Sequence, residues 1–171
     1  MVEMPVLSRE ASSANDAMDA ELEADEIPTD YGVRMEAQFR DMAVDETVRN
    51  FAVQHLERFA QERTVRGTWD VSSAEAGAVR KALRDASLET WNSIGGTAML
   101  ALARLSEIDK NVDAGELGAR AAALVADSSA PVSVRLASAQ ICGILCHDGA
   151  RPALRSVADD VSLPLPLRRG A

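Results

Sequence analysis

From Tyr31 onward the apolar residues fall at helical spacing. Met35, Phe39, Met42 and Ala43 stand at i, i+4, i+7 and i+8, and Val48, Phe51, Ala52, Leu56 and Phe59 resume that spacing after a short break. The pattern predicts a helical hairpin. A third helix is expected over 71–85, with Ser72 and Glu75 in capping-box spacing and Val79, Ala82, Leu83 and Ala86 on one side. Its partner, 88–106, is apolar nearly all round (Trp91, Ile94, Ala98, Met99, Leu102, Leu105), as expected of a helix covered on several sides. Segments 113–126 and 131–146 follow, the second opening on Pro131 with a stripe of Val134, Ala137, Ser138, Ile141 and Leu145. Another helix is expected over 151–158, and 164–171 reads as the start of one more. No stretch alternates as a strand does.

Residues 8–30 break this pattern, being rich in Ser, Asn, Asp and Glu with little beyond alanine on the apolar side. Such a segment buries too little to offset the entropy of ordering it, so 1–30 is expected to be an acidic, mobile leader ending near Pro28. Charge sharpens the division. The leader holds nine acids against Arg9 alone, whereas 31–171 holds 18 acids and 17 bases, out of a net −9 for the 171 residues. Alanine dominates the 47% of hydrophobic residues, and alanine favours helices over strands.

A phrase recurs along the chain. Asp127 precedes Arg135 by eight residues and Asp160 precedes Arg168 by eight, with Pro131 and Pro164 between them at an offset of 33; Asp41 and Arg49 repeat the interval. The second unit keeps Asp85 but has Ser93 where the arginine is expected. Over 31–171 this phrase resembles HEAT repeats, particularly the short HEAT-like class also found in phycobilin lyases. The resemblance implies an all-α solenoid of about three and a half antiparallel hairpins, the last incomplete. It also implies that Asp41, Asp127 and Asp160 are turn acids paired with Arg49, Arg135 and Arg168. An acid in such a turn accepts from unpaired N–H groups of the next helix, and a guanidinium bridges with several donors.

Few residues suggest chemistry. Cys142 and Cys146 share a helix face, where a disulfide is disfavoured; buried or half-buried helix cysteines are the leading reading over a metal or redox role, because a structural zinc site wants four ligands and His147 points elsewhere. His55 lies between Phe51 and Phe59 at i±4 and reads as a packed histidine rather than a general base. Gly95-Gly96 lacks the spacing of a phosphate loop and reads as a close helix approach. Trp69, in the 63–70 connection with Arg63 and Arg66, belongs to no helical stripe. Aromatic plus arginine on a loop is the make-up of an interface hot spot, the alternative being a tryptophan folded back over the hairpin junction.

These residues supply no catalytic constellation and call for no cofactor. The expected function is a non-catalytic protein-binding or scaffold module, a piece of a longer repeat protein or one that self-associates end to end. Two alternatives come with the resemblance. A bilin-lyase accessory would need aromatic and basic residues converging on a groove, and a nucleic-acid binder would need a basic stripe, which a body balanced at −1 lacks. The N-terminus has no secretory pattern, no apolar run approaches a membrane span, and the thiols suit a reduced compartment, so a cytoplasmic setting is expected with no membrane partner.

Overall fold

The computed structural model describes residues 8–171, and these form nine α-helices and no strand. They are α1 (Arg9–Glu23), α2 (Tyr31–Arg40), α3 (Glu46–Val65), α4 (Ala74–Ala86), α5 (Ser93–Ile108), α6 (Ala114–Ala126), α7 (Val132–Ile144), α8 (Arg151–Asp159) and α9 (Leu165–Gly170), with a 3-10 turn at Asp148–Ala150. The starts are set by local chemistry. Ser8, Asp45, Ser73, Asn92 and Asp113 each turn a side-chain oxygen back to a free first-turn N–H. Ser73 caps α4, not Ser72, whose hydroxyl is held by Asp70 at 2.7 Å.

Four helix ends share one turn. Asp41, Asp109, Asp127 and Asp160 follow the last residues of α2, α5, α6 and α8, and each accepts on its carboxylate the N–H two residues on, at 2.8–2.9 Å. Each backbone carbonyl then accepts the N–H three residues on. The chain is thereby reversed within five residues and the next helix begins.

Helices α2, α4, α6 and α8 pack on α3, α5, α7 and α9 respectively, and the latter four pack side by side in chain order. One contiguous apolar core runs from Ala11 to Leu167. The outer helices are less evenly spaced, since α2 packs on α4 and α6 on α8 while α4 and α6 barely meet. Gly96 permits a close approach of α5 to α7: a Cβ there would stand 3.1 Å from Cβ of Ala137 on α7.

Residues 8–30 correct the expectation of a mobile leader; residues 1–7 lie outside the described ones. α1 packs on α3 and buries Ala11, Met18 and Leu22, which stand at i, i+7 and i+11 on one face. Its charge is locally answered. Asp19 pairs with Arg58, Glu21 pairs with Arg34, and Arg66 donates to the carbonyls of Leu22, Ala24 and Asp25 at the helix end. Two of the acids that made the segment look solvated, Asp19 and Glu21, help to dock it.

Candidate interaction surface

The recurring arginines do not pair with the recurring aspartates. Arg49 Nε donates to the Phe39 carbonyl at 2.8 Å, Arg135 donates twice to Val125 O at 3.1 Å, and Arg168 Nε donates to Ala158 O at 3.2 Å. Each acceptor lies two residues before the turn aspartate, among the carbonyls that the last helical turn leaves unpaired, where the helix dipole also favours a cation. The aspartates are occupied by their own turns. Hydrogen bonds from Ser129 and Ser162, first through the hydroxyl and then the backbone, hold the Asp127 and Asp160 carboxyls below the usual range.

The α4–α5 connection departs from this scheme in a different way from the one expected. Because α5 begins at Ser93, the residue four into the helix, in the position of Arg49 and Arg135, is Gly96 rather than Ser93. The connection, 87–92, is one residue longer than the others, and its Glu89 accepts from Arg49 Nη2 at 2.7 Å. Gly95 is required beneath it. A Cβ at that position would strike the Glu89 carbonyl, with Glu89 C at 2.7 Å and Thr90 N at 3.0 Å.

Trp69, Arg63 and Arg66 are used within the molecule. Trp69 packs edge-on against Phe59 at 6.4 Å between ring centroids, Arg63 lies over Phe59 and pairs with Glu75 at 3.1 Å, and Arg66 caps α1. This is the folded-back arrangement, with the Trp69 Nε1 hydrogen buried and without an acceptor. His55 is likewise enclosed. Tyr31 Oη lies 2.8 Å from its Nδ1 and 3.1 Å from the Met18 carbonyl, and Nε2 lies 3.2 Å from Asn15 Oδ1. A neutral ring protonated at Nε2 donates to Asn15 and leaves Nδ1 to share the single Tyr31 hydroxyl hydrogen with the Met18 carbonyl, and burial, with Arg58 nearby, lowers the histidine pKa.

The two thiols part company. Cys142 is buried, with its pKa raised by burial, whereas Cys146 is exposed beyond the end of α7 at φ 49°. The His147 ring lies close to Gly118 and Gly149, where an added Cβ would meet it at 2.8 and 3.0 Å.

What the sequence missed is the edge formed by the turns. Of nine exposed large apolar side chains among the described residues, six stand in or beside the turns that join α2 to α3, α4 to α5, α6 to α7 and α8 to α9: Met42, Leu88, Trp91, Val132, Val161 and Leu165. Trp91, expected inside the stack, is 69% exposed, and Leu88 is 62% exposed. These turns are neighbours. Arg40–Asp85 (2.7 Å) and Ser93–Glu46 (3.3 Å) join the first to the second, the packing of Gly96 on α5 against Val134 on α7 and the donation from Arg120 of α6 to Ser87 tie the second to the helices either side of the third, and Ser128, Arg135, Asp160 and Leu163 line one depression between the third and fourth.

Two features flank this edge. Where α4 and α6 separate, a cleft of about 250 Å³ opens, lined by Leu88, Leu102, Val112 and Leu117 with Arg84, Arg120, Asp113 and Glu116 among its polar residues. Between α3 and α5 lies a polar groove of about 600 Å³ bearing Gln54, Gln61, Thr97, Arg104 and Glu57, the last with its pKa raised by burial. Among the described residues no helix is long and apolar enough to cross a membrane, and no three His, Cys, Asp or Glu side chains are grouped to hold a metal ion. Comparison with known families, with curated proteins and with solved structures finds no match to this chain.

Proposed function

We propose that the chain is a non-catalytic protein-binding module built as a HEAT-like α-solenoid, with its turn edge as the binding surface. The stacking of α3, α5, α7 and α9, each backed by the preceding helix, supports the solenoid reading, as does an arginine bonded to the same carbonyl position in three hairpins. The observation that carries the function is Trp91. An indole left 69% exposed beside Leu88, in a turn that Gly95 and Arg49 hold in place, is a fixed aromatic anchor of the kind that dominates binding energy at interfaces. Two of the residues that suggested chemistry are taken up inside the molecule, which supports the same reading: His55 is enclosed by Tyr31 and Asn15, and Cys142 is buried.

The test is comparative affinity capture from the native cell extract with wild type, Trp91→Ala/Leu88→Ser and Trp69→Phe. A partner held by wild type and Trp69→Phe, and lost from the double variant, is the expected result. Identical capture by all three would remove the turn edge from the binding function.

A further inference from the structure

The turn edge carries, besides its apolar side chains, a set of carboxylates, most of which accept turn or cap hydrogen bonds, that have no cationic partner. Asp41, Asp45 and Glu46 flank the first turn, Asp127 opens the third, and Asp159 and Asp160 open the fourth; all six are exposed. Among the described residues none of the six takes part in an ion pair, whereas Asp85 and Glu89 of the second turn are matched by Arg40, Lys81 and Arg49. Arg135 and Arg168, beside the third and fourth turns, are directed inward to carbonyls, which leaves Arg169 as the exposed cation next to the fourth. The edge is therefore apolar along its crest and acidic on its flanks.

Resting on the reading of this edge as the binding surface, we infer that its partner is a basic amphipathic α-helix of another protein, laid across the four turns with an apolar side chain anchored between Trp91 and the α4–α6 cleft. The dimensions agree. Helices packed side by side are about 8–10 Å apart, so four successive turns span roughly 24–30 Å. A helix rising about 1.5 Å per residue covers that distance in roughly 16–20 residues. Its apolar stripe meets Met42, Leu88, Trp91, Val132 and Leu165 in sequence, and Lys or Arg beside the stripe meets the unpaired carboxylates. Leu88 lines the cleft as well as the edge, so one bulky side chain of the partner can pass from the crest into a pocket floored by Leu102, Val112 and Leu117. A second copy of this chain is a poorer occupant, because it would bring the same excess of carboxylates to the contact. An extended strand is poorer too, since the edge consists of separate helix ends and offers no row of free backbone groups.

The experiment is selection from a display library of 20-residue helical peptides, randomised at surface positions and neutral on average, against the full chain. Selection is followed by counter-selection on Trp91→Ala/Leu88→Ser. Peptides that depend on Trp91 should carry net positive charge beside an apolar i, i+4, i+7 stripe, bind at least tenfold more weakly to the double variant, and lose a further several-fold on Glu46→Lys/Asp159→Lys, which spares the aspartates that hold the turns. Acidic or neutral peptides among the Trp91-dependent binders, or indifference to the charge reversals, would overturn the partner assignment while leaving the surface in place. Binders that ignore Trp91→Ala/Leu88→Ser altogether would overturn both the assignment and the surface. Circular dichroism of each variant identifies any loss of binding that comes from unfolding.

Discussion

Arg49 reaches from α3 to Glu89 in the next hairpin's turn, 2.7 Å away, while its Nε holds the carbonyl of Phe39 in its own hairpin. The two side chains are 6% and 14% exposed, so one guanidinium locks a helix end and spans the junction between hairpins in a setting shielded from water. Arg135 and Arg168 make only the contact within the hairpin.

Replacing these arginines by alanine should therefore rank in cost. Arg49→Ala strands a shielded carboxylate and a carbonyl and should destabilise by about 3 kcal/mol, Arg135→Ala by about 2 kcal/mol for a buried carbonyl, and Arg168→Ala by about 1 kcal/mol. Urea denaturation checks the order. If Arg135→Ala costs more than Arg49→Ala, the link across the junction contributes little.

Removing residues 1–23 should lower stability rather than leave it unchanged. Met18 and Leu22 are buried against the stack, and at about 1.5–3 kcal/mol for each fully buried side chain their loss alone amounts to roughly 3–6 kcal/mol. Thermal melting of the truncated chain measures it. An unaltered melting curve would show that α1 is held too weakly to count.

Gly95→Ala ought to raise helix propensity by about 1 kcal/mol, yet the fold should suffer. The new methyl group meets backbone atoms of Glu89 and Thr90, which cannot swing aside as a side chain does, so a net loss of about 1–3 kcal/mol is expected. Gly96→Ala, whose methyl meets the Ala137 methyl at 3.1 Å and backbone atoms of Val134 and Ser133 no nearer than 3.4 Å, should cost less. Equal melting temperatures for the two variants would argue that the 87–92 turn adjusts freely.

Much of the helical framework was legible because it rests on local rules: apolar spacing placed α2, α3, α6 and α7 within a few residues, and the Asp-to-Arg interval marked three turns. Other features depend on contacts that spacing does not encode. In Ser87-Leu-Glu-Thr-Trp-Asn92 no glycine or proline interrupts the apolar period, so Trp91 reads as helical; only Gly95, pressed from outside by Glu89, shows where the turn lies. The arginines' true acceptors are backbone carbonyls, present at every residue and so invisible as sequence signals. α1 was misread because Met18 and Leu22 suffice only once Tyr31, His55 and three arginines of other helices are there to meet it.

Acid should weaken the fold through His55. Burial, with the neighbouring Arg58, lowers its folded pKa below the ordinary 6.5, and Asp19 offsets this only in part. Below pH 6.5 the unfolded chain takes up a proton that the folded chain refuses, so stability present above that pH is lost as pH falls towards the folded value. Glu57 acts oppositely and lower down, its raised pKa favouring the folded state as pH drops towards 4.5. In His55→Gln the decline in melting temperature below pH 6.5 should flatten, and a slope equal to wild type would acquit His55.

The last prediction separates the two tryptophans, on which the choice of binding surface depends. Trp69 is partly buried, edge-on to Phe59, with its N–H enclosed, whereas Trp91 projects from a turn into solvent. Trp91→Phe leaves only Trp69, whose emission should lie at shorter wavelength and resist acrylamide; Trp69→Phe leaves only Trp91, red-shifted and readily quenched. The energetics should divide in the same direction. Trp69→Ala removes a ring packed against the core and should cost about 2–4 kcal/mol, while Trp91→Ala, making few internal contacts, should stay within about 0.5 kcal/mol of wild type. An exposed hydrophobic side chain whose removal leaves the fold intact serves no internal contact, which is what an anchor for a partner requires. If Trp91 proves shielded from quencher and costly to remove, it packs on the chain itself, and the turn edge loses its anchor.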